Sequence, residues 1–110
     1  MTSKKLVAAS SEPIVLSILS RGESYGYAII QRVRSVSQEA LQWTDGMLYP
    51  VLHRLEERGL ITARWGTSEH GRKRRYYQLT TAGKGALVSE RREWESVHAT
   101  LTELWGGSHA

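Results

Sequence analysis

Four consecutive cations, Arg72-Lys73-Arg74-Arg75, form the densest charge in this chain. Guanidinium and ammonium groups in a row suit the neutralisation of a phosphate backbone, although the same run could simply solubilise a turn. A second group of residues weighs against that plainer reading. Met47, Tyr49, Pro50, His53 and Arg54 fall at helical spacing a short way upstream. Tyr49, His53 and Arg54 are able to donate to phosphates or base edges, and Met47 and Pro50 to touch thymine methyls. Each of these side chains alone is ordinary surface. A helix carrying them directly before a basic hairpin is much less so.

Other chemistries find little footing. The chain has no Cys, which removes disulfides, thiolate-bound zinc and thiol catalysis together. His53, His70, His98 and His109 are scattered over different elements without paired spacing, so no metal site is assigned. A regulatory metal held by His98 and Glu95 between two copies is the one arrangement left open. There is no Gly-rich phosphate loop, no nucleophile elbow and no His-Glu-x-x-His pattern. The chain reads as a non-enzyme, with no catalytic residue and no cofactor.

These residues need a scaffold, and 110 residues suffice for one domain. Its net charge of +4 is unevenly placed. Residues 1–80 hold 12 Lys/Arg against 7 Asp/Glu, whereas residues 81–110 hold 3 against 4. The first part suits a polyanion and the last does not. Lys4 and Lys5 precede an apolar run, Leu6 to Ala9, too short for a signal peptide. Nothing approaches the ~20 apolar residues of a membrane span, so a soluble cytoplasmic protein is expected.

The first helix is predicted over Glu12 to Ser20, with Pro13 in its opening turn. Ser24 is the expected N-cap of a second helix, Tyr25 to about Ser37, burying Gly26, Ile29, Val33 and Val36. A third helix should follow Thr44-Asp45-Gly46 and end at Arg58, with Gly59 as a left-handed C-cap. Leu48, Leu52 and Leu55 would face inward. Ile61, Ala63 and Trp65 alternate with Thr62 and Arg64, and Tyr77 and Leu79 with Tyr76 and Gln78, which gives a hairpin. A polar loop from Gly66 to Arg75 is expected between its strands. A last helix should span Thr81 to Trp105, ahead of a frayed tail over 106–110. The class is mainly α with a β-hairpin: a winged helix-turn-helix over 1–80, then a long helix over 81–105.

About 24 helical residues reach roughly 36 Å, more than so small a core covers. Trp94, Val97, Leu101 and Leu104 recur at three-four-three, a short heptad seam. A second copy of the chain is the simplest partner for it. Glu90, Arg91, Arg92, Glu93 and Glu95 break up the remaining surface as solvated charges.

Three blocks also carry a family resemblance: Ser24-Tyr-Gly-Tyr-Ala-Ile-Ile30; Gly46-Met-Leu-Tyr-Pro50 with Leu52, Arg54-Leu-Glu56 and Gly59-Leu-Ile61; and His70-Gly-Arg-Lys-Arg-Arg-Tyr-Tyr77 with Leu79-Thr80 and Gly83. In this order, over about residues 13–104, they resemble the PadR family of bacterial transcriptional regulators, in its short form with one C-terminal helix. Tyr25 stands where many members have His, and Met47 where most have Thr. The resemblance implies that the third helix enters the major groove of double-stranded DNA, with Tyr49 and its neighbours on backbone and bases. It implies that Arg72, Lys73 and Arg74 make wing contacts. Tyr25, Thr44 and Arg75 complete the candidate DNA surface.

It further implies a homodimer on a pseudopalindrome, with half-sites about one turn (~34 Å) apart, acting as a repressor released by a small effector. In the short multidrug-binding members that the chain is similar to, a tryptophan faces its mate across the dimer axis and flat aromatic compounds slide between the indoles. Trp94 falls at that position. Ser17, Glu90 and His98 would line such a pocket, while Trp94 also has the simpler role of anchoring the dimer. Trp105 is left unassigned. Two alternatives stay open: an effector-blind repressor, and a winged helix used for protein–protein assembly.

Overall fold

A computed structural model describes residues 3–106. Helix α1 spans Lys4–Leu19, strand β1 Ser24–Tyr25, α2 Gly26–Val36 and α3 Asp45–Glu57; β2 spans Ile61–Thr67, β3 Lys73–Leu79 and α4 Thr81–Leu104. The strands form one antiparallel sheet in the order β1-β3-β2. Ile61 pairs with Leu79 and Thr67 with Lys73 along the hairpin, and Ser24 pairs with Tyr77. Four helices and this small sheet make the winged helix-turn-helix with a long last helix.

Helix α1 begins eight residues before the expected Glu12, at Lys4. Ser3 caps it, its hydroxyl accepting the Leu6 amide at 3.2 Å. Pro13 therefore sits inside the helix and not in its first turn. The proline ring removes the donor that the Ala9 carbonyl would use, but Ala9 is exposed, which leaves that carbonyl open to solvent. A proline often marks a helix start; here the earlier serine cap wins.

Ser24 is likewise no N-cap. It and Tyr25 are drawn into the sheet beside β3, and α2 starts at Gly26 behind Tyr25, which makes no side-chain cap bond. The buried stripe of α2 ends at Val33, for Val36 is 65% exposed. Helix α3 follows expectation more closely. Thr44 accepts the Met47 amide at 3.3 Å, and Gly59 adopts φ +74°. The Leu60 amide then reaches back to the Leu55 carbonyl at 3.0 Å, closing the helix end. Val51 joins Leu48, Leu52 and Leu55 in the core with Val15, Leu16, Ile29 and Tyr77.

The wing loop is shorter than the expected Gly66 to Arg75. Residues 68–72 alone connect the strands, so Lys73, Arg74 and Arg75 belong to β3. Buried Ser68 organises the turn, its hydroxyl accepting the amides of His70 and Arg72 at 3.3 and 3.1 Å. Trp65, on the same strand face as the inward Ile61, is 64% exposed because β2 outruns the core at that point.

Helix α4 starts on a joint with the end of α3. The Thr80 amide bonds the Leu60 carbonyl at 3.1 Å, and the Thr80 hydroxyl donates to the Gly59 carbonyl at 2.7 Å. Ala86 and Leu87 pack against the core; the residues from Arg91 to Leu101 are all exposed. No helix among the described residues is long and apolar enough to cross a membrane. The expected tail lies, over 107–110, outside the described residues, as does His109.

Candidate nucleic-acid interface

The residues singled out in the sequence fall into two groups around α3. On the wing side, Tyr25, Tyr49, Trp65, Arg72, Lys73 and Arg74 surround one recess of about 510 Å3. Tyr49 is held there by backbone proximity: a Cβ on Gly26 would collide with the Tyr49 hydroxyl, so glycine is what lets the ring lie over the start of α2. Tyr25 packs edge-on against Tyr76, with centroids 5.7 Å apart. The Arg74 guanidinium lies over the Tyr25 ring at 4.1 Å, an arrangement favoured by the ring quadrupole.

Charge pairing sorts the wing cations. Arg75 is spent inward, 3.2 Å from Glu56 on α3 and 5.6 Å from the Trp65 centroid. Arg64 makes two hydrogen bonds to Glu23, which hold its guanidinium above its ordinary value. Burial pushes the Tyr77 hydroxyl up, so this residue beneath the wing stays neutral. Arg72 and Lys73 are exposed and have no acidic partner among the described residues. Those two, with Arg74 on its tyrosine, are the cations available to a phosphate strand.

Met47 and Arg54 lie on the opposite side of α3, toward α1, and Pro50 borders both groups. Arg54 and Arg58 share the Glu12 carboxylate, at 3.4 and 2.7 Å. His53 is exposed, 3.7 Å from Glu57. Thr44 uses its hydroxyl as the α3 cap. Glu12, Glu56 and Trp65 also shape this surface, and nothing in the sequence singles them out for it. The first two act over 42 and 19 residues of separation, which no local pattern registers.

If Arg54 and Arg58 lie on the DNA surface, Glu12, which pairs with both, competes with phosphate for them, and Glu12→Gln should raise affinity for unrelated DNA. The slope of log K against log salt should steepen by up to about 1.8 per protomer. A filter-binding salt series measures this. An unchanged slope would remove Arg54 from the DNA surface.

Farther away, Ser17 and Trp94 border a mainly apolar recess of about 460 Å3 between α1, α2 and α4. Glu90 and His98 lie outside that lining. Arg91 and Glu95 occupy its edge instead, paired at 3.1 Å. Val97, Leu101, Leu104 and Trp105 are exposed in the single chain, Trp105 by 75%.

A helix presented beside a basic two-stranded wing, on this helical scaffold, defines a DNA-binding winged-helix regulator. The sequence profile of the transcriptional regulator PadR-like family matches residues 15–89, and the chain belongs to that family. It is 38% identical over 76 residues to transcriptional regulator Rv3488 of Mycobacterium tuberculosis, covering 69% of this chain and 68% of that one. Transcriptional regulator YqjI of Escherichia coli is 34% identical over 80% of this chain, which spans 41% of that longer protein. A transcriptional regulator from Clostridium thermocellum shares the fold with a TM-score of 0.84 and 29% identity, over 94% of this chain and 97% of its own. The family and these relatives are regulators of transcription and not enzymes.

Proposed function

We propose that the chain is a repressor that binds a pseudopalindromic operator as a homodimer and is released by a flat aromatic effector near Trp94. One observation carries the DNA part. Acidic side chains neutralise Arg54, Arg58, Arg64 and Arg75, yet leave Arg72 and Lys73 unpaired at the wing tip among the described residues. In this reading α3 enters the major groove with Tyr49, Pro50 and His53 toward the bases. The wing then follows the neighbouring phosphate strand.

The exposed seam of α4, from Trp94 to Leu104, supports dimerisation through residues 81–105. Apolar side chains at heptad spacing on a projecting helix gain by meeting their own copy. A two-fold axis across α4 would set two α3 helices about one turn (~34 Å) apart. An effector wedged beside Trp94 would change that spacing and so the fit to DNA.

Footprinting on DNA upstream of the chain's own gene tests the reading, with sedimentation of the same sample. Two protected half-sites about one turn apart and a dimeric mass are expected. Leu101→Glu should yield monomers that bind this site at least roughly a hundredfold more weakly, since half of the contacts are lost. A monomeric wild type with full affinity would refute it.

A further inference from the structure

The outer reach of the wing carries an indole that the core does not use. Ile61, Ala63 and Trp65 share one face of β2, but only the first two pack on the core. Trp65 is 64% exposed. Its cross-strand partner Arg75 stands on the same face. Glu56 on α3 holds that guanidinium at 3.2 Å, and the cation lies 5.6 Å from the indole centroid. The ring is thus braced toward α3 through Arg75 while most of its surface stays open to solvent.

A single exposed aromatic is ordinary on a protein surface. This one lines the recess of about 510 Å3 that separates Tyr49 on α3 from Arg72 and Lys73 on the wing. Tyr27 and Tyr49, also in its wall, are 66% and 46% exposed, so three wide rings border one hollow. No carboxylate lines it, whereas Arg72, Lys73, Arg74 and Arg75 all do. Of these cations only Arg75 has an acidic partner among the described residues. The hollow is therefore aromatic-walled and positive at once. A nucleic-acid backbone has the matching chemistry, because its anionic phosphates alternate with uncharged sugars. The location agrees as well. A strand that leaves the groove filled by α3 for the groove met by the wing must cross between those two elements.

We propose that Trp65 is a DNA-backbone contact. The indole lies against a deoxyribose of the strand that passes between α3 and the wing, while Arg72 and Lys73 hold the phosphates of that strand. Because Arg75 ties the ring to Glu56, the contact links the backbone to α3 as well as to the wing. The inference rests on the DNA-binding part of the proposed function. It adds an uncharged contact to a surface otherwise defined by cations.

The full chain, labelled with 5-fluorotryptophan at its four tryptophans, is titrated at low salt with a short duplex of mixed sequence. Filter binding is run on the same samples. The Trp65 fluorine resonance, identified by its loss in Trp65→Phe, should shift saturably and should lose its broadening by a neutral gadolinium chelate. Trp65→Ser should weaken binding to this duplex at least roughly tenfold, the effect of losing a large apolar side chain from a covered site. Its slope of log K against log salt should stay at the wild-type value, since no counterion is released by an indole. Trp65→Phe keeps a ring in place and should retain most of the affinity. Because the resonance is read in the wild-type chain, a lowered melt of Trp65→Ser does not blur the result. Saturable DNA binding with a Trp65 resonance that neither moves nor loses its broadening overturns the proposal and leaves the DNA reading intact. So does wild-type affinity in Trp65→Ser, or a shallower salt slope, which would trace the loss to displaced wing cations. A chain that binds no duplex at low salt would overturn the DNA reading itself, and this contact with it.

Discussion

Replacing Arg72 and Lys73 together by alanine should weaken binding to every DNA sequence by at least roughly tenfold at moderate salt. The loss should be uniform if these side chains meet phosphates, which carry no sequence information. If each cation releases one counterion equivalent, a dimer loses four contacts, and the slope of log K against log salt becomes shallower by about 3.6. Arg75→Ala provides the internal comparison. Its guanidinium is already 3.2 Å from Glu56, so removing it costs an ion pair between the wing and α3 and not a phosphate contact. Its melting temperature should fall slightly while its salt slope stays close to wild type. A double variant with the wild-type slope would show that the wing does not lie on the backbone. An Arg75→Ala slope as shallow as the double variant's would show that the ion pair opens on DNA.

That contrast could not be drawn from the run of four cations alone. The sequence makes Arg72 through Arg75 equivalent; the fold divides them, because β3 begins at Lys73 and turns Arg75 toward α3. The legible parts of the chain are those with local punctuation. Thr44 before α3 and Gly59 after it each satisfy backbone groups within a few residues, so both ends of α3 fall close to where they are expected. The start of α1 is not legible, because Pro13 imitates a first-turn proline while Ser3, the true cap, lies nearly three turns earlier. Strand β1 is two residues long. A period of two has no room to show itself there, and its pairing partner Tyr77 is over fifty residues away. The same holds for the site: Tyr49 and Arg72 stand out by type and spacing, but Glu12 acts through contacts that only the tertiary fold creates. Tyr25 is reached only through the family pattern, and its edge-on packing against Tyr76 beneath Arg74 gives that position a physical role.

Two glycines in the first turns of α4 should answer oppositely to the same substitution. Gly83 is buried, and a Cβ there would run into the Leu60 carbonyl and crowd the Leu79 side chain. The carbonyl cannot yield easily, because it accepts the Thr80 amide at 3.1 Å while the Thr80 hydroxyl holds the adjacent Gly59 carbonyl at 2.7 Å. Gly83→Ala should therefore destabilise the protein by roughly 2–3 kcal/mol, in the range of overpacked cores. For a domain of this size that lowers the melting temperature by about 10 °C. At Gly85 a Cβ would meet nothing within 4 Å. At that open helical position alanine restricts the unfolded chain, and Gly85→Ala should stabilise by up to about 1 kcal/mol. Thermal melts of the two variants decide the matter. The joint they probe has a wider consequence. It fastens the start of α4 to the end of α3, so any rotation of α4 at a dimer axis must either carry α3 with it or break these bonds. Gly83→Ala should on that account weaken operator binding even below its melting range, whereas Gly85→Ala should leave it unchanged. Equal stability of the two variants would mean that α4 moves aside freely, and that the joint transmits nothing.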